Sequence, residues 1–167
     1  MARQKWSLFF DSMVWDEMTH NSGPLRAFLD AHGVGLIEIV RSHVGMHQNE
    51  KRSDKTKLAA IRELRKKLGE HEIPTAGVGL NVSKLDRALM GDQKDNEFFG
   101  ALMGKKKSNT KHGADALIVT SAANQNMILV TGDRSLYNQM KSRGATSIWL
   151  KDFQHWLLTK VVACRQI

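Results

Sequence analysis

The chain has 167 residues, 41% of them apolar, with 2 prolines and a formal charge of +8. That length suits a single domain over residues 1–167 with a full core, and the composition excludes a disordered chain. No apolar run approaches the roughly 18–20 residues of a membrane span, and the single cysteine, Cys164, excludes an intrachain disulfide or a cysteine zinc cluster.

Lys and Arg number 25 against 17 Asp and Glu, which favours a polyanionic partner, because each neutralised phosphate releases counterions. A basic surface that serves only solubility is the competing reading. The opening stretch, MARQKWSLFFDSMV, starts basic, but Asp11 breaks its short apolar core and no small-residue cleavage site follows. A secretory signal is therefore not expected, and the lone cysteine fits a reducing cytoplasm.

In chain order, residues 6–10, WSLFF, are apolar and aromatic, which predicts a central strand. Asp11 follows at once and suits the cap of a helix reaching about His20. Asn21-Ser22-Gly23-Pro24 reads as a break, with Pro24 in the first turn of a helix over residues 25–32 that Gly33 closes. Residues 34–40, VGLIEIV, are the second predicted strand. Ser42 is a candidate cap for a helix over HVGMHQNEKR. From Lys57 onward, Leu58, Ile61, Leu64 and Leu68 share one helical face, and Gly69 stops that helix. Residues 71–82 contain Pro74, Gly77 and Gly79 and read as a connection. Leu85 and Leu89, one turn apart, predict a helix over residues 83–90.

Residues 91–96 are polar, and Phe98, Phe99, Leu102 and Met103 suggest a short helix or turn against the core. Lys105-Lys106-Lys107-Ser108-Asn109-Thr110-Lys111-His112 reads as a basic loop leading into a helix that begins near Ala114. A strand over residues 127–131, a helix over 134–143 stopped by Gly144, a short strand over 147–150 and a helix over 153–163 complete the chain. Helix alternating with strand is the pattern of a parallel sheet with crossover helices. No internal repeat, low-complexity segment or dividing linker interrupts it.

Two acids follow predicted strands, Asp11 and Asp133, and Asp115 opens a predicted helix. In an open parallel sheet, ligands bind outside the carboxyl ends of the strands. Three carboxylates meeting there suit Mg²⁺ or Mn²⁺, hard cations that prefer oxygen ligands. Such a site activates water and stabilises displacement at phosphorus, so the acids read together as the centre of a nuclease. Each alone has a plainer explanation: an Asp after a strand commonly caps a helix, and an acid in a first helical turn is favoured by the dipole.

The stretch from Lys105 to Leu136 resembles the C-terminal half of a PIN domain. Asp115-Ala116-Leu117-Ile118 and Thr131-Gly132-Asp133-Arg134-Ser135-Leu136 carry the resemblance, and the apolar strand ending in Asp11 is similar to the family's opening. The resemblance implies a three-layer α/β/α sandwich with a mostly parallel sheet and a Mg²⁺- or Mn²⁺-dependent nuclease, usually acting on RNA. It implies Asp11, Asp115 and Asp133 as metal acids, with Thr131 beside Asp133 steadying its carboxylate. It also suggests a toxin–antitoxin setting, with a cognate inhibitor and a homodimer.

The family normally has one further acid, a Glu in the helix after the second strand. Here the expected place falls near His47 or Gln48, and Glu50 lies one turn later on the face of His47. Glu50 is taken as the fourth catalytic acid, with Glu38 as another candidate, although Glu38 within a strand reads as facing solvent. If none supplies the group, activity is reduced or lost.

Lys107 and Lys111, in the basic loop, and Arg134, next to Asp133, are candidate phosphate contacts. A solvated loop is the commoner role for such a run. The cations over residues 51–67 are interleaved with Asp54 and Glu63 and read as a solvent face. His43 and His47 are four apart without an HExxH pattern, so zinc is not expected. Trp15 is weighed as a base-stacking residue against core packing. Two other functions stay open: a PIN-like module that binds RNA or a protein without cutting, and a small phosphoryl-transfer enzyme. No GxxxxGK[ST] loop or nucleotide-binding glycine fingerprint supports the latter.

Overall fold

The computed structural model of the chain describes residues 5–41, 53–72, 75–76, 88–89, 110–142 and 144–161, with the side chains of 75–76, 88–89, 110–115 and 161 outside that description. In chain order the elements are β1 (Trp6–Phe10), α1 (Ser12–His20), α2 (Ser22–Gly33), β2 (Ile37–Arg41), α3 (Lys55–Leu68), β3 (His71–Glu72), β4 (Thr75–Ala76), β5 (Ala88–Leu89), α4 (Thr110–Asn124), β6 (Ile128–Thr131), α5 (Arg134–Ser142) and β7 (Ser147–Trp149). A 3₁₀ turn (Leu150–Asp152), α6 (Phe153–Trp156) and a π turn (Leu157–Val161) follow.

β1 reads as an unbroken apolar run because both its faces are covered. Leu8 and Phe10 point to one side and Phe9 to the other, as the two-residue period of a strand requires. On the first side they meet Val14, Trp15 and Met18 of α1, Phe28 of α2, Ile61 and Leu64 of α3, and Phe153 of α6. On the second side Phe9 meets Leu117, Ile118, Val119 and Ala122 of α4, and Met140 of α5. The result is three layers, with the sheet between two sets of helices.

The main sheet has the order β3-β2-β1-β6-β7, and every neighbouring pair is parallel. The chain travels outward from β1 to β2 and β3, then resumes on the other side of β1 at β6 and moves outward to β7. The direction of travel therefore reverses between β1 and β6. Right-handed crossovers put α1, α2 and α3 on one face and α4 and α5 on the other, as their packing shows. A reversal of this kind opens a crevice at the carboxyl ends of the two central strands.

Polar caps set the helix starts. Asn21 caps α2 by accepting from the Gly23 amide. Asp54 caps α3 through the amides of Thr56 and Lys57, both at 3.0 Å. Gly69, at φ 57°, ends α3 in the left-handed conformation that glycine adopts without a Cβ penalty. Just beyond it, the buried Glu70 carboxylate accepts from Arg65 Nε at 2.7 Å and Arg41 Nη1 at 3.1 Å. That ion pair ties the end of β2 to α3.

Several boundaries differ from the sequence reading. The segment over residues 71–82, expected as a connection, contributes β3 to the sheet edge and β4 to a separate parallel pair with β5. Ala88–Leu89, expected within a helix, is the strand β5. Strands of two residues carry no readable period, and main-chain pairing with a distant segment overrides the local leucine spacing. Helix α4 begins at Thr110 rather than near Ala114, so Thr110 to His112 belong to the helix instead of the loop. The helix expected over HVGMHQNEKR, the Phe98–Met103 segment and Lys105–Lys107 lie outside the described residues.

Phe10 is the centre of the first core. Its ring meets Trp15 at 5.3 Å, Phe28 at 5.4 Å and Phe153 at 5.5 Å between centroids. Replacing it by alanine leaves a cavity ringed by aromatics on three helices, so Phe10→Ala is expected to destabilise by about 3–5 kcal/mol. Urea unfolding followed by tryptophan fluorescence measures this, and a loss under about 1 kcal/mol would show a core able to collapse around the gap.

Candidate active site

β1 ends at Phe10, and Asp11 is the first residue past it. The Asp11 amide still donates to the Val130 carbonyl at 3.1 Å, so pairing with β6 holds the residue in place. Asp11 also caps α1: its Oδ1 accepts from the Ser12 amide and, at 3.3 Å, from the Ser12 hydroxyl. Its Oδ2 accepts from the Thr131 hydroxyl at 2.9 Å. Only 6% of Asp11 is exposed. Burial pushes its carboxyl above the usual range, the bonds from Thr131 and Ser12 pull it back, and the charge of Asp133 pushes it up again.

Thr131 is the last residue of β6 and is fully buried. Its hydroxyl donates to Asp11 and accepts from the Asp133 amide at 3.0 Å. One oxygen thus joins the ends of two adjacent parallel strands. Asp133 caps α5, with Oδ1 accepting from Ser135 N at 2.8 Å and Leu136 N at 3.1 Å. Its Oδ2 has no hydrogen-bond partner among the described residues. Gly132 makes the tight turn between them: a Cβ there would lie 3.2 Å from both Leu150 Cδ2 and Met13 Cε.

Asp115 lies in the second turn of α4, not the first as expected, because that helix starts earlier. Its position is nevertheless near the same rim. The Met127 amide donates to the Ala122 carbonyl at 2.8 Å, so α4 folds straight back into β6. Helix from Ala122 back to Asp115 rises about 10.5 Å, and chain from Met127 to Thr131 rises about 13 Å. Position 115 therefore comes level with the carboxyl end of β6.

The remaining candidates divide. Arg134, the first residue of α5, is exposed next to Asp133. Lys111 lies in the first turn of α4. Lys107, His47 and Glu50 lie outside the described residues. Glu38 is not at this rim. It sits opposite Ser7 in the register, toward the amino ends of the strands, where Ser7 Oγ donates to it at 2.6 Å and Lys5 pairs with it. Those bonds hold its carboxyl below the usual range. Trp15 is 3% exposed and packs edge-on against Phe10, so it is core and does not offer a stacking face. Among the described residues no three His, Cys, Asp or Glu side chains gather as a metal-binding group.

Two features were missed in sequence. The Thr131 hydroxyl serves Asp11 and the Asp133 main chain rather than the Asp133 carboxylate, a link that only strand register reveals. Met13, 48% exposed, lies against Gly132 beside the acids. A methionine two residues after an N-cap gives no signal of that placement.

No protein-family model matches the sequence, and no curated protein sequence matches it. Solved structures do. A chain from the structure of VapBC2 from Rickettsia felis, bound to a DNA fragment from its promoter, is 12% identical, with 86% of this chain and 98% of that chain covered and a TM-score of 0.54. PAE2754 from Pyrobaculum aerophilum is 14% identical, with 94% and 99% covered and a TM-score of 0.54. At these identities the likeness is one of fold. The chain has the PIN-like α/β/α fold.

The electrostatics of Asp11 carry a stability cost. Its pKa is raised on folding, so ionising it disfavours the native state, and the penalty grows as pH rises through the folded value. Asn caps a helix as well as Asp does. Asp11→Asn is therefore expected to raise the thermal midpoint of metal-free protein near neutral pH, with the gain shrinking as pH falls. A midpoint that drops at every pH would contradict the burial argument. Thr131→Val removes the buried hydroxyl and leaves Asp11 Oδ2 and the Asp133 amide without it, and is expected to cost about 1–3 kcal/mol, with Thr131→Ser recovering most of it. Equal unfolding midpoints for valine and serine would show the bridge to be immaterial.

Proposed function

We propose that the chain is a divalent-metal-dependent endoribonuclease in which Asp11, Asp115 and Asp133 hold Mg²⁺ or Mn²⁺. The observation that carries this is the Asp11–Thr131–Asp133 bridge, which sets two carboxylates at adjacent parallel strand ends where the sheet reverses direction. Ligand sites in parallel sheets form at such a point.

The donor set fits a hard cation. All its atoms are carboxylate oxygens, as Mg²⁺ and Mn²⁺ prefer. Asp11 is nearly buried and repelled by Asp133, an arrangement that a positive ion relieves. Asp133 Oδ2 is the oxygen left without a partner among the described residues. Asp115 supplies the third carboxylate from the level of the β6 end, and Glu50 the fourth acid. When bound, the cation polarises the phosphodiester and lowers the pKa of an attacking water.

The protein's own groups do the positioning. Thr131 fixes the rotamer of Asp11, while capping bonds from Ser12, Ser135 and Leu136 hold both carboxylates against rotation. Burial under α1 and β6 keeps bulk water from Asp11. Arg134 at the rim, with Lys107 ahead of α4 in sequence and Lys111 in its first turn, contacts phosphates of the strand.

RNA is the substrate class that the PIN resemblance favours, and the surplus of cations suits a polymer. The VapBC2 structure contains promoter DNA, so DNA belongs in the same assay. A cognate inhibitor protein and a homodimer follow from the same resemblance. Among the described residues no helix is long and apolar enough to cross a membrane, and we place the activity in the cytoplasm.

The test is cleavage of end-labelled single-stranded RNA, and of DNA of the same sequence, with Mn²⁺, with Mg²⁺ and with EDTA. Cutting of RNA is expected with either metal and not with EDTA. Asp133→Asn and Asp115→Asn should each lower the rate by about 100-fold or more while leaving the circular dichroism unchanged. Undiminished cutting in EDTA would end the metal proposal. RNA binding without cutting under any condition would identify a non-catalytic module instead.

A further inference from the structure

We infer that a cationic pocket beside the end of β2 holds a backbone phosphate of the nucleic-acid strand lying across the carboxylate site. This rests on the nuclease reading for its substrate class. The pocket, about 340 Å³, is lined by Arg41 and Glu70 and, along α3, by Leu58, Arg62, Arg65 and Lys66. That volume is at the small end of the range for ligand sites.

Two stripes of α3 make the pocket. Ile61, Leu64 and Leu68 face the core. Leu58, Arg62, Arg65 and Lys66 follow the same helical spacing on an adjoining stripe. Arg65 is the floor: its side chain is 10% exposed, bonded to Glu70 and set 5.6 Å above the Trp15 ring. Arg41 is half-engaged. Its Nη1 meets Glu70, its Nη2 stands 4.0 Å from Glu72, and its Nε is buried without a partner among the described residues. Arg62 and Lys66 are exposed at the mouth, and among the described residues neither is in an ion pair.

The charge does not balance. Four cations meet two carboxylates, Glu70 and Glu72. The C-terminal end of α3 adds only about half a negative charge. The surplus favours an anion at the mouth, away from the buried Glu70 carboxylate, and guanidinium groups match the geometry of phosphate.

Placement favours a strand over a free ion. The register pairs Phe9 with Val40, so Arg41 lies beside Phe10, the residue before Asp11. Adjacent strands are about 4.8 Å apart, so Arg41, one wall of the pocket, stands at the same rim as the acids, one strand outward. The acid pair itself repels a polyanion. A strand that must approach those carboxylates needs a cationic anchor farther along the rim, and this pocket supplies it.

The experiment measures binding of a fluorescent single-stranded RNA oligonucleotide by anisotropy, in EDTA so that nothing is cut. Arg62→Glu/Lys66→Glu removes the mouth of the pocket. Lys55→Glu/Lys67→Glu reverses the same charge on α3 outside it. The pocket variant is expected to bind about tenfold or more weakly, with a salt dependence of log K shallower by about 1.4, the value for two lost phosphate contacts on single-stranded nucleic acid. The control should bind like the wild type. Equal losses in both variants would mean diffuse charge attraction and overturn the pocket. So would unchanged RNA binding in the pocket variant, including the case where that variant loses only thermal stabilisation by inorganic pyrophosphate, which would mark a small-anion site. Pocket-dependent binding by a protein that cuts nothing would sink the nuclease reading and leave the pocket standing.

Discussion

A single buried hydroxyl organises the rim of this molecule. Thr131 Oγ1 donates to the Asp11 carboxylate and accepts from the Asp133 main chain, across a separation of 120 residues in the chain. It ends β6 and reaches the end of β1, and the two strands are neighbours only because the sheet reverses there. Without that oxygen, a nearly buried carboxylate would lose one of its few partners, and the turn into α5 would lose the acceptor for its capping residue.

The same arrangement sets stability against use. Asp11 is held out of solvent beside another acid, and burial and like charge both disfavour its ionised form. Caps and the Thr131 bond offset part of that cost without removing it. Natural sites keep such strained groups where a ligand supplies the missing counter-charge. The surrounding scaffold is built to bear it. Four aromatic rings converge under β1, and α4 is buried from Ala116 to Ala122 against the opposite face.

Charge is divided along the rim. The acids occupy the centre of the sheet, and the excess cations lie one strand outward, against α3. The Arg41–Glu70–Arg65 network is structural, since it joins β2 to α3 through a carboxylate that is 2% exposed. Arg62 and Lys66 are not consumed by that network. A helix whose cations read as a plain solvent face in sequence therefore carries two roles on different stripes.

Much of the architecture was legible because apolar period and punctuation are local. WSLFF before Asp11, the leucine and isoleucine stripe of α3, the glycines at 69 and 144 and the run before Asp133 all marked their elements within a residue or two. The edge strands were not legible, since two residues have no period and their partners are chosen by main-chain pairing. Nor was the true start of α4, which moved Asp115 into the second turn. By itself the sequence determined which residues would be apolar, which acids would follow strands, and that the sheet would be parallel. Only the tertiary structure decided that Thr131 serves Asp11 and that Glu38 belongs to the far end. Those outcomes depend on register between segments distant in the chain, and no local pattern encodes a hydrogen bond that forms only after the layers have packed.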